Sequence, residues 1–103
     1  MRFPPEVVQR LRQTLMKRGQ MLATLLEQVL AGKEPPQLGE IGKPGMRPEE
    51  KLRMALDQVE AQRTLLDAGD DRFGRCGICN EDLGLPALEE APWADRCAKH
   101  AAQ

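Results

Sequence analysis

A chain of 103 residues that is 41% apolar and 30% charged, with two Phe, one Trp and no Tyr, has little material for a large closed core. It must hold its shape with long zipped helices, a metal or a partner, which disfavours a deep-pocket enzyme, and a single His removes most imidazole chemistry. The net charge of −1 argues against a protein that lives on nucleic-acid phosphates.

The N-terminal residues Met1-Arg2-Phe3-Pro4-Pro5 lack the unbroken apolar stretch of a secretory signal. No later run approaches the roughly 18 apolar residues that span a bilayer. A cytoplasmic protein without membrane contact is expected, and there cysteines serve as ligands or free thiols rather than disulfides.

Residues 5–31 read as a helix. Val8, Leu11, Leu15, Leu22, Leu25 and Val29 follow a 3,4 spacing that only Arg18 interrupts. Pro4 and Pro5 suit the start, where a missing N–H costs nothing, and Gly32 suits the stop. Such a helix is roughly 40 Å long. Residues 2–33 carry six Lys/Arg against two acids, and 34–103 carry nine against fourteen. The first helix therefore presents a basic face, either simply solvated or facing an acidic partner.

Residues 32–48 hold four Pro and four Gly, a density that predicts a mobile loop without regular structure. Residues 49–69 resume as helix. Pro48, Glu49 and Glu50 fit its N-terminus, Leu52, Leu56, Val59 and Leu66 continue the seam, and Gly69 ends it. Two amphipathic helices and one connecting loop predict an antiparallel helical hairpin, a short coiled coil. Pairing Val29 with Leu52 sets Arg18 against Arg63. The two charges then either snorkel outward, or the seam drifts toward Met16, Gly19 and Leu65.

Residues 70–103 differ in kind. They contain all three cysteines and the sole histidine, as Cys76-x2-Cys79, a 17-residue gap and Cys97-x2-His100. A Cys-x2-Cys knuckle turns tightly enough for both sulfurs to reach one ion, and a second pair at the same gap completes a tetrahedron of N and S donors suited to Zn²⁺. Four protein ligands leave no open position, so one structural zinc is expected. A redox Cys-x2-Cys pair is the competing reading and leaves Cys97 and His100 unexplained. Gly77 helps the first knuckle turn, and Asn80 suits a left-handed position. Leu83, Leu85, Leu88 and Trp93 form the expected small core, with Trp93 over the knuckles. Residues 94–102 are predicted as a short C-terminal helix carrying Cys97 and His100. The predicted fold is mostly α, with a hairpin module over 1–69 and a zinc-finger knuckle over 70–103.

Phe73-Gly74-Arg75-Cys76-Gly77-Ile78-Cys79, the Leu88/Pro92/Ala94 spacing and the 17-residue gap together resemble the DksA/TraR family of bacterial zinc-finger transcription regulators. The hairpin corresponds to that family's coiled-coil arm. His100 stands where the family often has Cys, Asn80 where Gly is common, and Ala87 where an Arg commonly precedes the matched Leu. The paired-Asp tip motif is absent, since no Asp lies between residues 32 and 48. A four-ligand site offers no Lewis-acid vacancy, so no enzyme is expected, and a monomer is expected although the seam could also pair between chains. The resemblance implies a transcription regulator. It would bind RNA polymerase through the secondary channel rather than promoter DNA, and modulate initiation, as the family often does together with guanosine tetraphosphate at that interface. Glu34, Glu40, Glu49 and Glu50 are then the acids available as tip contacts. An alternative is an interaction protein of the same fold that occupies polymerase or another partner without tip-dependent regulation. A DNA-binding finger is disfavoured, because Arg72, Arg75, Arg96 and Lys99 face seven acids between Asp70 and Asp95.

Overall fold

The computed structural model describes residues 2–42 and 45–101. Two long helices, α1 (Pro5–Leu30) and α2 (Pro48–Asp67), pack against each other. Arg12 pairs with Asp67 at 2.7 Å, and a Cβ on Gly19 would lie 3.7 Å from Val59 Cγ1. The two contacts fix an antiparallel hairpin.

The helix ends obey local chemistry. Pro5 and Pro48 occupy first-turn positions that have no intrahelical N–H partner to lose. Both C-termini close with the same left-handed turn. Gly32 (φ 86°) follows Ala31, with Gly32 N donating to Val29 O at 3.0 Å and Lys33 N to Gln28 O at 2.9 Å. Gly69 (φ 65°) follows Ala68, with Gly69 N donating to Leu66 O at 3.1 Å and Asp70 N to Leu65 O at 2.9 Å. This is the Schellman arrangement, which satisfies carbonyls that a helix end otherwise leaves open.

The seam buries Val7, Leu11, Leu15, Leu22 and Leu25 of α1 against Leu52, Val59 and Leu66 of α2. At its start Val7 is buried while Val8, the expected residue, is only partly covered. Arg18 and Arg63 do not share a layer, and the seam drifts to Gly19, one of the two alternatives the spacing left open. Gly19 sits beside Val59 instead, Arg63 lies at the surface 3.9 Å from Asp67, and Arg18 turns toward Trp93. The small residue at 19 lets the helices close where the apolar repeat fails.

The connecting loop departs from expectation. Pro36–Glu40 forms a 3₁₀ turn, and Ile41 is 3% exposed in the hairpin core. Ile41 N donates to Leu38 O at 3.2 Å, and Lys51 Nζ reaches Leu38 O at 3.3 Å. Antiparallel helices need only about 2–5 linking residues, so the surplus chain folds back along the hairpin. Proline supports this because it pre-sets the φ of such a turn. Burial of Ile41 contributes about 1.5–3 kcal/mol.

The C-terminal segment packs beside the hairpin. A short helix, α3 (Leu85–Glu90), was not expected. Gly84 at φ 86° leads into it, and Leu88 is fully buried. Arg2 binds Asp82 at 2.5 Å and Phe73 O at 2.6 Å, and Arg10 reaches Glu89 at 3.1 Å. Phe3 and Phe73 meet edge to face at 6.2 Å, and Gln58 donates to Asp95 at 3.1 Å. The predicted helix over 94–102 is replaced, among the described residues, by a 3₁₀ turn at Ala98–His100; residues 102 and 103 lie outside them. Cys97 is extended (φ −77°, ψ 172°), a conformation a helix does not permit. Among the described residues no helix is long and apolar enough to cross a membrane.

Candidate metal centre

The Cys76–Cys79 knuckle is a tight turn framed by backbone bonds. Asn80 N donates to Cys76 O at 2.9 Å, Cys76 N to Glu81 O at 2.8 Å and Leu83 N to Gly74 O at 2.9 Å, with Arg75 and Asp82 bridged as an isolated antiparallel pair. Asn80 carries φ 63°, the left-handed geometry its side chain tolerates. Gly74 (φ 78°) has no room for a side chain, since an added Cβ would lie 2.8 Å from Leu88 Cδ1. Gly77 serves a close approach. Its N–H donates to Asp95 O at 2.8 Å, and a Cβ there would meet Arg96 Nη1 at 2.7 Å. That bond lays the second half of the site against the first.

Cys76, Cys79, Cys97 and His100 converge, with one donor atom from each within 4.8 Å of all the others. Cys79 Sγ lies 3.7 Å from Cys97 Sγ, and His100 Nδ1 lies 3.6 Å from Cys76 Sγ and 3.2 Å from Cys97 Sγ. Two thiolates each about 2.3 Å from a tetrahedral ion stand about 3.8 Å apart, and a thiolate and an imidazole nitrogen stand about 3.6 Å apart. The sulfur–sulfur spacing and one of the sulfur–nitrogen spacings match these values. All three cysteines are free. The arrangement therefore fits one metal ion.

The thiols are electrostatically unequal. Burial pushes Cys76 up, but backbone hydrogen bonds from Cys79, Cys97 and Ile78, with a further one from the Cys79 side chain, outweigh it and hold the group at about 5. Ile78 N points at its Sγ from 3.4 Å. Burial pushes Cys97 up, and the hydrogen bond shared with Cys79 adds to that. Converging N–H groups favour a thiolate at the first ligand, the form a metal takes.

The acids of the loop and of the start of α2 are not gathered in this way. Glu34 and Glu40 are exposed, Glu49 pairs with Arg53 at 2.8 Å and Glu50 with Arg47 at 3.5 Å. Trp93 packs against the core, as expected, and also makes a contact that was not expected. Its ring lies under the Arg18 guanidinium at 4.3 Å, joining the C-terminal segment to α1. Burial lowers the Arg18 pKa, and the nearby Glu40 charge opposes that. No local pattern signals this cation–π pair, which spans 75 residues of chain. Between the loop and the C-terminal segment runs an open cleft of about 650 Å³, lined by Arg18, Glu40, Ile41, Met54, Trp93 and Arg96 among others.

No family model matches the chain, and no solved structure does. The RNA polymerase-binding transcription factor DksA of Haemophilus influenzae is 36% identical over 52 residues, covering 50% of this chain and 34% of that protein. The aligned stretch thus spans about a third of that relative's length. That similarity and the Cys₃His group together support a relationship to DksA.

Proposed function

We propose that this chain is a zinc-stabilised, non-enzymatic regulator of the DksA/TraR type that binds bacterial RNA polymerase at its secondary channel and modulates initiation without reading promoter DNA. The similarity to a polymerase-binding factor carries the reading. The Cys₃His cluster and the helical hairpin, packed side by side, are the features that support the reading beside that similarity. Cys76, Cys79, Cys97 and His100 would hold one zinc, which supplies cross-linking of two chain segments and no open coordination position. The near-neutral net charge favours a protein partner over DNA. Guanosine tetraphosphate belongs to the proposal only as a ligand at the polymerase interface, and the regulator acts as a cytoplasmic monomer.

A second reading has its own observation. The loop has no Asp, and its Ile41 is packed into the hairpin, so the chain could occupy polymerase or another partner without tip-dependent regulation. The two readings separate in one experiment. The zinc-loaded chain is expected to co-migrate with polymerase core at micromolar concentration and to change output from a ribosomal-type promoter. Deletion of residues 33–47 is expected to abolish the change while binding partly persists. Binding without any change in output would select the second reading, and no detectable binding would reject both.

A further inference from the structure

The cleft beside Trp93 selects no ligand by net charge, because Arg18, Lys51 and Arg96 are matched in its walls by Glu40, Asp57 and Asp95. One wall is the chain's own loop. The loop's attachment is slight. It rests on the buried Pro35 and Ile41, the partly buried Leu38, and the Lys51 Nζ bond to Leu38 O at 3.3 Å. The chain passes close above Lys51 at Gly42, where φ is 70° and an added Cβ would stand 2.9 Å from Lys51 Cγ. Glu40, just before Ile41, thereby lines the same cleft as Arg18, although Arg18 lies three turns back from the end of α1, and its charge opposes the effect of burial on that guanidinium. The left-handed Gly32 marks the other end of the segment and can act as a hinge. Eight residues extended from Gly32 would carry Glu40 at most roughly 28 Å outward.

We propose that residues 36–42 form a releasable strap. Docked, it keeps the exposed Glu40 carboxylate against the flank of the hairpin, in the cleft that Arg18 also lines; released, it presents that carboxylate beyond the ends of the helices. The proposal rests on the polymerase reading above and adds its regulation. The strap's few anchors make docking a local equilibrium, separable from unfolding of the hairpin. A partner with higher affinity for the released form would shift that equilibrium toward release.

The test uses the full zinc-loaded chain with Ile41→Ser, which removes the apolar anchor, and Gly42→Ala, which obstructs docking by another route. Amide exchange over 36–42 is expected to be protected in the parent chain and to accelerate at least tenfold in both variants. Exchange in α1 and α2, and helix content, should stay unchanged. At equal polymerase occupancy both variants should enlarge the transcription effect several-fold, and adding Glu40→Gln should cancel the gain. Unprotected exchange over 36–42 in the parent chain would overturn the strap. So would faster exchange in the variants with an unchanged or smaller transcription effect, or a gain that survives Glu40→Gln. If neither the parent nor the variants bind polymerase, the polymerase reading fails, presentation to it fails with it, and the exchange data still decide docking.

Discussion

Asp70 and Asp82 fix the chain where it turns from α2 into the metal knuckle. Arg72 donates to Asp70 from its backbone N–H at 2.9 Å and from its guanidinium at 2.8 Å, and side-chain hydrogen bonding before all else holds that carboxyl at about 2. The Gly84 N–H and then the Arg2 guanidinium lower Asp82. Both groups prefer their charged form in the folded chain, so their stabilisation is complete above the ordinary carboxylate range, near pH 4, and is lost as pH falls through the depressed values. Thermal melts of the parent chain and Asp70→Asn are therefore expected to differ at pH 5–7 and to converge toward pH 2. A difference that persists or grows in acid would contradict the assignment. Residue chemistry was the most legible level of the sequence. The ligand spacing and the need for a left-handed residue at Asn80 are local properties, set by which backbone turns bring neighbours together. Arg18 over Trp93 and the crowding at Gly77 depend on residues far apart in sequence and left no periodic trace.

The long helices were legible because propensity, apolar spacing, first-turn proline and terminal glycine all agree. At Gly69, φ is 65° and an added Cβ meets nothing within 4 Å, so replacement tests backbone conformation alone. Gly69→Ala is expected to destabilise the fold by about 1 kcal/mol, since only glycine enters this region without penalty. In a chain of this size that lowers Tm by about 4–8 °C. A variant as stable as its parent would show that the left-handed stop is not required. The short elements were not legible. The loop's proline and glycine content signals the absence of a long helix, but it does not reveal that Ile41 has a place in the core. The segment after Ala94 has helical composition, yet Cys97 is extended because its sulfur must meet three other donors. α3 has only six residues, too few for a periodic pattern, and tertiary burial of Leu88 sustains it.

At the scale of the molecule, the longest dimension is 42 Å, close to the roughly 39 Å expected of a 26-residue helix. The C-terminal segment and the loop therefore lie alongside the hairpin rather than extending it, and the arm does not project freely from a separate base. Polar clasps from Arg2, Arg10 and Arg12 run from the start of α1 to the far half of the chain, but surface pairs of this kind add little each. With two Phe and one Trp in the whole chain, an ion held by the Cys₃His group would be the main cross-link of residues 76–100. Native mass spectrometry of the purified full chain tests this most directly. One zinc per chain is expected, lost together with cooperative unfolding of the C-terminal segment in Cys97→Ser and retained in Gly69→Ala. A parent chain that is folded and metal-free, or one whose mass shows Cys79 and Cys97 joined by a disulfide, would contradict it.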